Sequence, residues 1–293
     1  MSLTWWHHIP MVEWVSVLGL LGLIVGSFLN VVIYRLPRII QQEWEEECQH
    51  TAPLPLNAPS HYDLTHFSLL FPASHCPFCQ HPLSWWENIP LVSFLLQKGH
   101  CRHCHAKIAW HYPLIELTSL IGSIVIALYF KISPQTLMAC LFFWILLSAV
   151  VIDFKHQLLP DLLNYILLWC GLLYNTQPTG WSPLPDAVIG AVAGYLSLWT
   201  LYWIFKILTK KEGMGYGDFK LFAALGAWFG WQSLPSMLFL AGLGASLFGI
   251  SMILLNKFDR HTPMPFGPFL AFGGGMTLFF QQKIQFFFVM FSL

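Results

Sequence analysis

A polytopic helical membrane protein is the fold class this sequence predicts, on three observations. Hydrophobic residues make up 56% of the 293 positions. Charged residues make up only 10%, against roughly 25% in an average soluble domain. The apolar residues come in long continuous runs, not in alternating segments of about ten, so helices fit and a β-barrel does not. With 14 Trp and 25 Phe there is more apolar surface than a soluble chain of this size can hide. A net charge of zero argues against electrostatic binding of nucleic acid.

A spanning helix needs roughly 20 apolar residues. The first run covers about residues 11–34 and ends in GSFLNVVIY. No Lys or Arg precedes it and no small-residue cleavage site follows, so it does not read as a cleavable signal peptide. Residues 35–111 change character. They hold the acidic run EWEEEC, many His and Pro, and four paired cysteines, and they are too polar to span. From Pro113 the chain is apolar again. Helices are expected at about 113–130, 135–152, 160–175, 186–208, 219–232, 236–255 and 268–291. The breaks fall at Ser133-Pro134, the turn from Lys155 to Pro160, the Pro/Gly stretch 178–185, the loop 209–218, Pro235 and residues 256–267. This gives about eight spans in three regions: 1–34, 35–111 and 112–293.

Charge orients the bundle. Under this reading twelve of the 14 Lys and Arg lie on one side, and only Lys131 and Lys283 on the other. Basic loops stay in the cytosol. The insert 35–111 is then cytosolic and both termini are outside. Cysteines in a reducing compartment favour metal binding over disulfides. CPFC and CRHC place Cys76, Cys79, Cys101 and Cys104 as a four-thiolate zinc site. The 21 residues between the pairs slightly exceed the common spacing. A redox dithiol pair is the alternative, and His75, His81, His100, His103 and His105 are alternative ligands.

Three aspartates stand at the same side of the bundle. Asp153 ends the apolar run LLSAVVID, where the helix macrodipole disfavours a carboxylate. Such a residue is a functional candidate, with a solvated residue paired to Lys155 as the alternative. Asp161 follows Pro160 and suits a helix start. Asp218 closes GMGYGD, where an N-cap would explain the acid but not three glycines in five residues. Glycines allow positive φ and close backbone approach, which suits a carboxylate beside a substrate backbone. A phosphate loop is disfavoured, since no strand precedes these glycines. Two carboxylates sharing a proton can activate water and protonate a leaving amine. An ion transporter, the other use of membrane carboxylates, predicts acids deeper in the helices and on both sides.

These segments together resemble the bifunctional type IV prepilin peptidases: GSFLNVVIYRLP, the two CxxC pairs, WENIPLVS, HYPLIE, VIDFKHQLLPD, KEGMGYGDFK and PFGPFLAFGG. The likeness runs along essentially the whole chain. It implies an inner-membrane, multi-pass aspartic protease of the GxGD kind, with Asp153 and Asp218 as the catalytic pair in 112–293. The implied substrates are type IV prepilins and type II secretion pseudopilins, cut on the cytosolic side after a short basic leader. The new N-terminus, usually Phe, would then be N-methylated with S-adenosylmethionine. The resemblance places that activity in or near the cysteine insert, where Gly99 matches a glycine linked to methylation. A GxGD protease without methyltransferase activity is the second reading, and the intact cysteine insert argues against it. The resemblance adds no nucleic-acid partner; membrane lipid is the expected surrounding.

Overall fold

The computed structural model describes residues 10–51, 68–69, 71, 73–211, 213–255 and 264–291. Nine α-helices occur among them: α1 (Met11–Thr51), α2 (Val92–Leu96), α3 (His111–Phe130), α4 (Pro134–His156), α5 (Asp161–Tyr174), α6 (Leu184–Thr209), α7 (Tyr216–Phe229), α8 (Leu234–Leu254) and α9 (Gly267–Phe291). Every helix expected from the apolar runs is present, with ends moved by a few residues except at the far end of α1; α2 is an additional short helix within the insert. Residues 256–263, with Lys257, Asp259 and Arg260, lie outside the described residues, as does the stretch 52–67 of the insert.

Five of the described helical segments are long and apolar enough to cross a membrane: α1, α3, α4, α6 and Trp231–Leu254. This is a membrane protein. Helix α1 differs most from expectation, because it does not stop with the apolar run. Its 41 residues extend to about 60 Å, twice a hydrocarbon core of about 30 Å. Good helix formers such as Arg38, Gln41, Gln42 and Glu45 carry it onward. The acidic run Glu43, Glu45, Glu46 and Glu47 therefore sits exposed on a helix.

The chain divides into two compact units, Met1–Ile132 and Ser133–Leu293. In the first, α1 packs along α3 through small residues, which let two backbones approach. A Cβ at Gly26 would stand 2.9 Å from the Glu116 Cα. Asn30 Nδ2 donates to the Tyr112 carbonyl at 3.1 Å, tying the same pair.

In the second unit α7 is the central helix. Every side chain from Phe219 to Phe229 except that of Lys220 is buried. Its 14 residues span about 21 Å, so it is too short to cross alone, and it is enclosed by α5, α6 and α9. Gly190 and Gly194 bring α6 against it. Its last carbonyls have no partner within the helix. Asn175 Nδ2 supplies one, donating to Ala227 and Trp228 at 2.8 and 2.9 Å. Trp228 Nε1 in turn donates to the Leu167 carbonyl at 2.8 Å. These bonds fix the axial position of α7, and with it the depth of Asp218.

Candidate active site and metal centre

Asp153 lies in the last turn of α4. That turn closes on Gln157, whose left-handed φ of 51° lets its amide donate to the Asp153 carbonyl at 2.9 Å. The chain then turns through Leu158-Leu159-Pro160 into α5. Asp218 is the third residue of α7; the N-cap is Gly215, not Asp218. At this third helical position its carboxylate faces the amide of the Gly215 N-cap, which engages only part of the group. Asp153 is 5% and Asp218 6% exposed, so both carboxylates lie inside the bundle. They are within electrostatic reach of each other.

Leu159 is the wedge that assembles this site. A Cβ at Gly217 would stand 2.7 Å from the Leu159 Cβ, and one at Gly267 would stand 2.9 Å from the Leu159 Cδ1. The Gly267 Cβ would also come within 2.6 Å of Asp153 Oδ2. Glycine is required at both positions because of close approach; neither takes a positive φ. Backbone amides complete the surroundings, Gly267 facing the Asp153 carboxylate and Gly215 that of Asp218. One oxygen of each acid, Asp153 Oδ2 and Asp218 Oδ1, is buried with no hydrogen-bond partner among the described residues. Buried carboxylate oxygens are normally satisfied, and these two keep acceptor capacity that the described residues do not use.

Asp161 takes a different part. It starts α5, as its sequence suggested, and both its oxygens accept from Lys220 Nζ at 2.6 and 2.7 Å. The pair links the starts of α5 and α7 at the surface. Leu159 and Gly267 were not singled out in the sequence as parts of the site. The only trace of them lay in the quoted segments HQLLPD and PFGPF.

The cysteine pairs build a second centre, in the first unit. Each pair forms the same turn. The Gln80 amide donates to the Cys76 carbonyl and the His105 amide to the Cys101 carbonyl, both at 2.9 Å. Gln80 and His105 each take a φ of 57°. Antiparallel bridges His75 to Pro82 and His100 to Lys107 close the two loops. This repetition brings four Sγ atoms within 4.8 Å of one another. Cys76 Sγ and Cys104 Sγ are 3.8 Å apart. A tetrahedron with metal–sulfur bonds of about 2.3 Å has edges of about 3.8 Å, so the cluster fits a zinc-sized ion.

The thiols are unequal. Backbone amides of Cys104 and His103 pull Cys101 down to about 7. The Ala106 amide lowers Cys104, but burial and its three cysteine neighbours raise it to about 11. Four clustered sulfurs cannot all ionise without a cation between them, and a cation would remove that penalty. Of the five candidate histidines, His75 and His100 turn Nδ1 to the carbonyls of Ala73 and Lys98. The four-residue cluster able to hold a metal consists of the cysteines.

Beside the second cysteine turn is an open cavity of about 370 Å³, lined by Trp86, Leu96, Gln97, His100, Arg102 and His105 with Cys101. Gly99 lies within this lining sequence at a φ of 72°. A Cβ there would stand 3.2 Å from the Phe94 ring.

Fold and site together define a polytopic helical membrane protein with paired buried carboxylates in one unit and a cluster of four cysteines able to hold a metal in the other. Two family models match it: the bacterial peptidase A24 N-terminal domain over residues 20–130, and the type IV leader peptidase family over residues 140–250. The chain belongs to the type IV leader peptidase family. It is 48% identical over 278 residues to the prepilin leader peptidase/N-methyltransferase of Aeromonas salmonicida (strain A449), covering 95% of this chain and 94% of that protein. The protein of the same name from Pseudomonas putida is 43% identical over 284 residues, 96% of each chain. That from Pseudomonas aeruginosa is 46% identical over 265 residues, 90% of each. No solved structure matches this chain.

Proposed function

We propose that this protein removes the basic leader from type IV prepilins and type II secretion pseudopilins and then N-methylates the exposed residue. The observation that carries the proteolytic half is the buried carboxylate pair, Asp153 with Asp218, each with an oxygen that has no hydrogen-bond partner among the described residues. The ionised member takes a proton from water as that water attacks the scissile carbonyl. The protonated member donates to the carbonyl oxygen, which becomes a hydroxyl. On collapse the C–N bond breaks and the pair returns a proton to the leaving amine. No covalent intermediate and no metal ion takes part. The excess of Lys and Arg in the loops on this side supports a cytosolic position for the carboxylate pair and for the insert, at the inner membrane.

For the second activity the lining of the open cavity suits S-adenosylmethionine. Arg102 offers a guanidinium to a carboxylate, Trp86 an indole face to adenine or to a sulfonium, and Gln97 an amide. When bound, that cofactor supplies the methyl group to the new N-terminal amine. The chain's own part is to hold donor and amine together in the insert, region 35–111. Purified protein incubated with a prepilin should release the leader peptide without added cofactor. With S-adenosylmethionine, mass spectrometry should show the mature chain heavier by one methyl group. No cleavage in either arm rejects the assignment; cleavage without a mass gain leaves a protease alone.

The metal we assign is zinc, held by Cys76, Cys79, Cys101 and Cys104. A region with so little core of its own needs such a staple. Purified wild-type protein should contain about one zinc per chain, and the quadruple Cys→Ser variant close to none. Equal zinc in both would mean that other ligands hold the ion. Any loss of cleavage in that variant should be partial, because the carboxylate pair lies in the other unit.

A further inference from the structure

We propose that Glu116 is a positioning residue for methyl transfer, holding the backbone turn at Leu91 from which the cavity wall is built. This rests on the assignment of methyl transfer to the cysteine insert.

Glu116 is on α3, in the part that packs against α1, and is 9% exposed. A carboxylate there needs a compensating set of donors, and it has one. Leu91, 25 residues earlier in the chain, donates its amide to Glu116 Oε2 at 2.8 Å. Ser27 and Asn30 on α1 also face the carboxylate with their polar side chains. One acid thus joins α1, α3 and the insert.

The residue it holds is strained. Leu91 takes φ 57° and ψ −44°, a region that a branched side chain avoids. Such a conformation persists only where its surroundings impose it. The turn is also tight, the Val92 amide donating to the Pro90 carbonyl at 2.6 Å. Leu91 is the N-cap of α2, and α2 runs directly into Leu96 and Gln97 of the cavity. Gly99 follows, its amide donating to the Phe94 carbonyl at 2.9 Å. Releasing Leu91 would therefore move the cavity wall.

The other end of the described insert is held in the same manner by the opposite charge. Arg35 on α1 is 5% exposed, and its Nη1 donates to the carbonyls of Ser68 and Leu69 at 3.1 and 3.3 Å. The two spanning helices thus dock the insert at two points, in addition to anchoring it. In the Glu116 cluster Asn30 Oδ1 is buried with no hydrogen-bond partner among the described residues. That cost is tolerable if the cluster is kept for its geometry and not for its stability.

The test uses full-length protein and measures leader cleavage, N-methylation and zinc content separately. Glu116→Ala should reduce methylation about tenfold or more, through a higher KM for S-adenosylmethionine, because small misplacements of a binding wall are costly. Cleavage should stay within about threefold and zinc unchanged, since neither depends on the placement of Leu91. Glu116→Gln keeps an acceptor for the Leu91 amide and should restore most of the methylation. Leu91→Gly removes the strain, so Glu116→Ala combined with Leu91→Gly should recover part of it. Unchanged methylation in Glu116→Ala overturns the proposal. A parallel loss of cleavage, or a Gln variant as poor as Ala, overturns it too. Gly99→Val is assayed alongside. If it also methylates normally, the insert is not the methyl-transfer region; if it alone fails, only the role of Glu116 falls.

Discussion

Asp153→Asn and Asp218→Asn should each abolish leader cleavage while the protein accumulates in the membrane at wild-type levels. Asparagine keeps the shape of the side chain, so packing against Leu159 and Gly267 survives. What it removes is the exchangeable proton and the negative charge. Loss of positioned acid–base catalysis costs roughly a hundred- to ten-thousand-fold. Because the two acids act as one unit, the double variant should be no worse than either single one. Asp161→Asn is the control. Its ion pair with Lys220 is partly exposed, with side-chain exposures of 53% for the acid and 26% for the lysine. Exposed pairs contribute about 0–1 kcal/mol. That variant should keep cleavage within about tenfold of wild type, which is what a loss of that size allows. The assay is release of the leader from a prepilin in detergent, followed by mass spectrometry. Wild-type cleavage by either of the first two variants rejects the catalytic pair. Loss of cleavage in Asp161→Asn as deep as theirs would place a third acid in the site.

Gly99→Val should leave the leader cleaved and the new N-terminus unmethylated. Valine at a φ of 72° faces two costs at once. A β-branched residue is disfavoured in the left-handed region by roughly 1–2 kcal/mol or more. Its Cβ would also press on the Phe94 ring, 3.2 Å away before any γ carbon is counted. Phe94 is itself set edge-on to Trp110, their ring centroids 5.0 Å apart. Relief must come from the segment 96–100, which is the cavity wall. The carboxylate pair belongs to the other compact unit, so it should not feel the change. Gly99→Ala should be milder, since it meets the backbone cost but adds no γ carbons. Mass spectrometry of the processed pilin reads both activities from one sample. Equal loss of both would make the insert and the protease centre one cooperative unit. Fully methylated product would reduce Gly99 to a turn residue.

Much of this protein is written in one-dimensional pattern. Long apolar runs must be helices in a membrane, because every backbone polar group there has to be satisfied within its own segment. The breaks between them were legible because Pro and Gly punctuate them. The four cysteines suggested a metal site through their spacing, and the structure brings their sulfurs close enough together to hold one. Asp153 stood out because an acid at the end of an apolar run opposes both the membrane and the helix dipole, and Asp218 because three glycines in the five residues before it exceed what a helix cap needs.

Other features needed the third dimension. That the two acids come within electrostatic reach depends on helices 65 residues apart in the chain. Leu159 and Gly267 have no chemistry of their own. They matter only because two backbones meet on one side chain, and sequence records residue types but not approach distances. The reach of α1 was also hidden, since its polar half carries no membrane signal and only its continuous helix shows it. Glu116 is the clearest case. In the sequence it is one acid near a helix end. Only the fold shows that its partner is a strained backbone amide 25 residues away, because hydrogen bonding to backbone leaves no residue-type pattern to read.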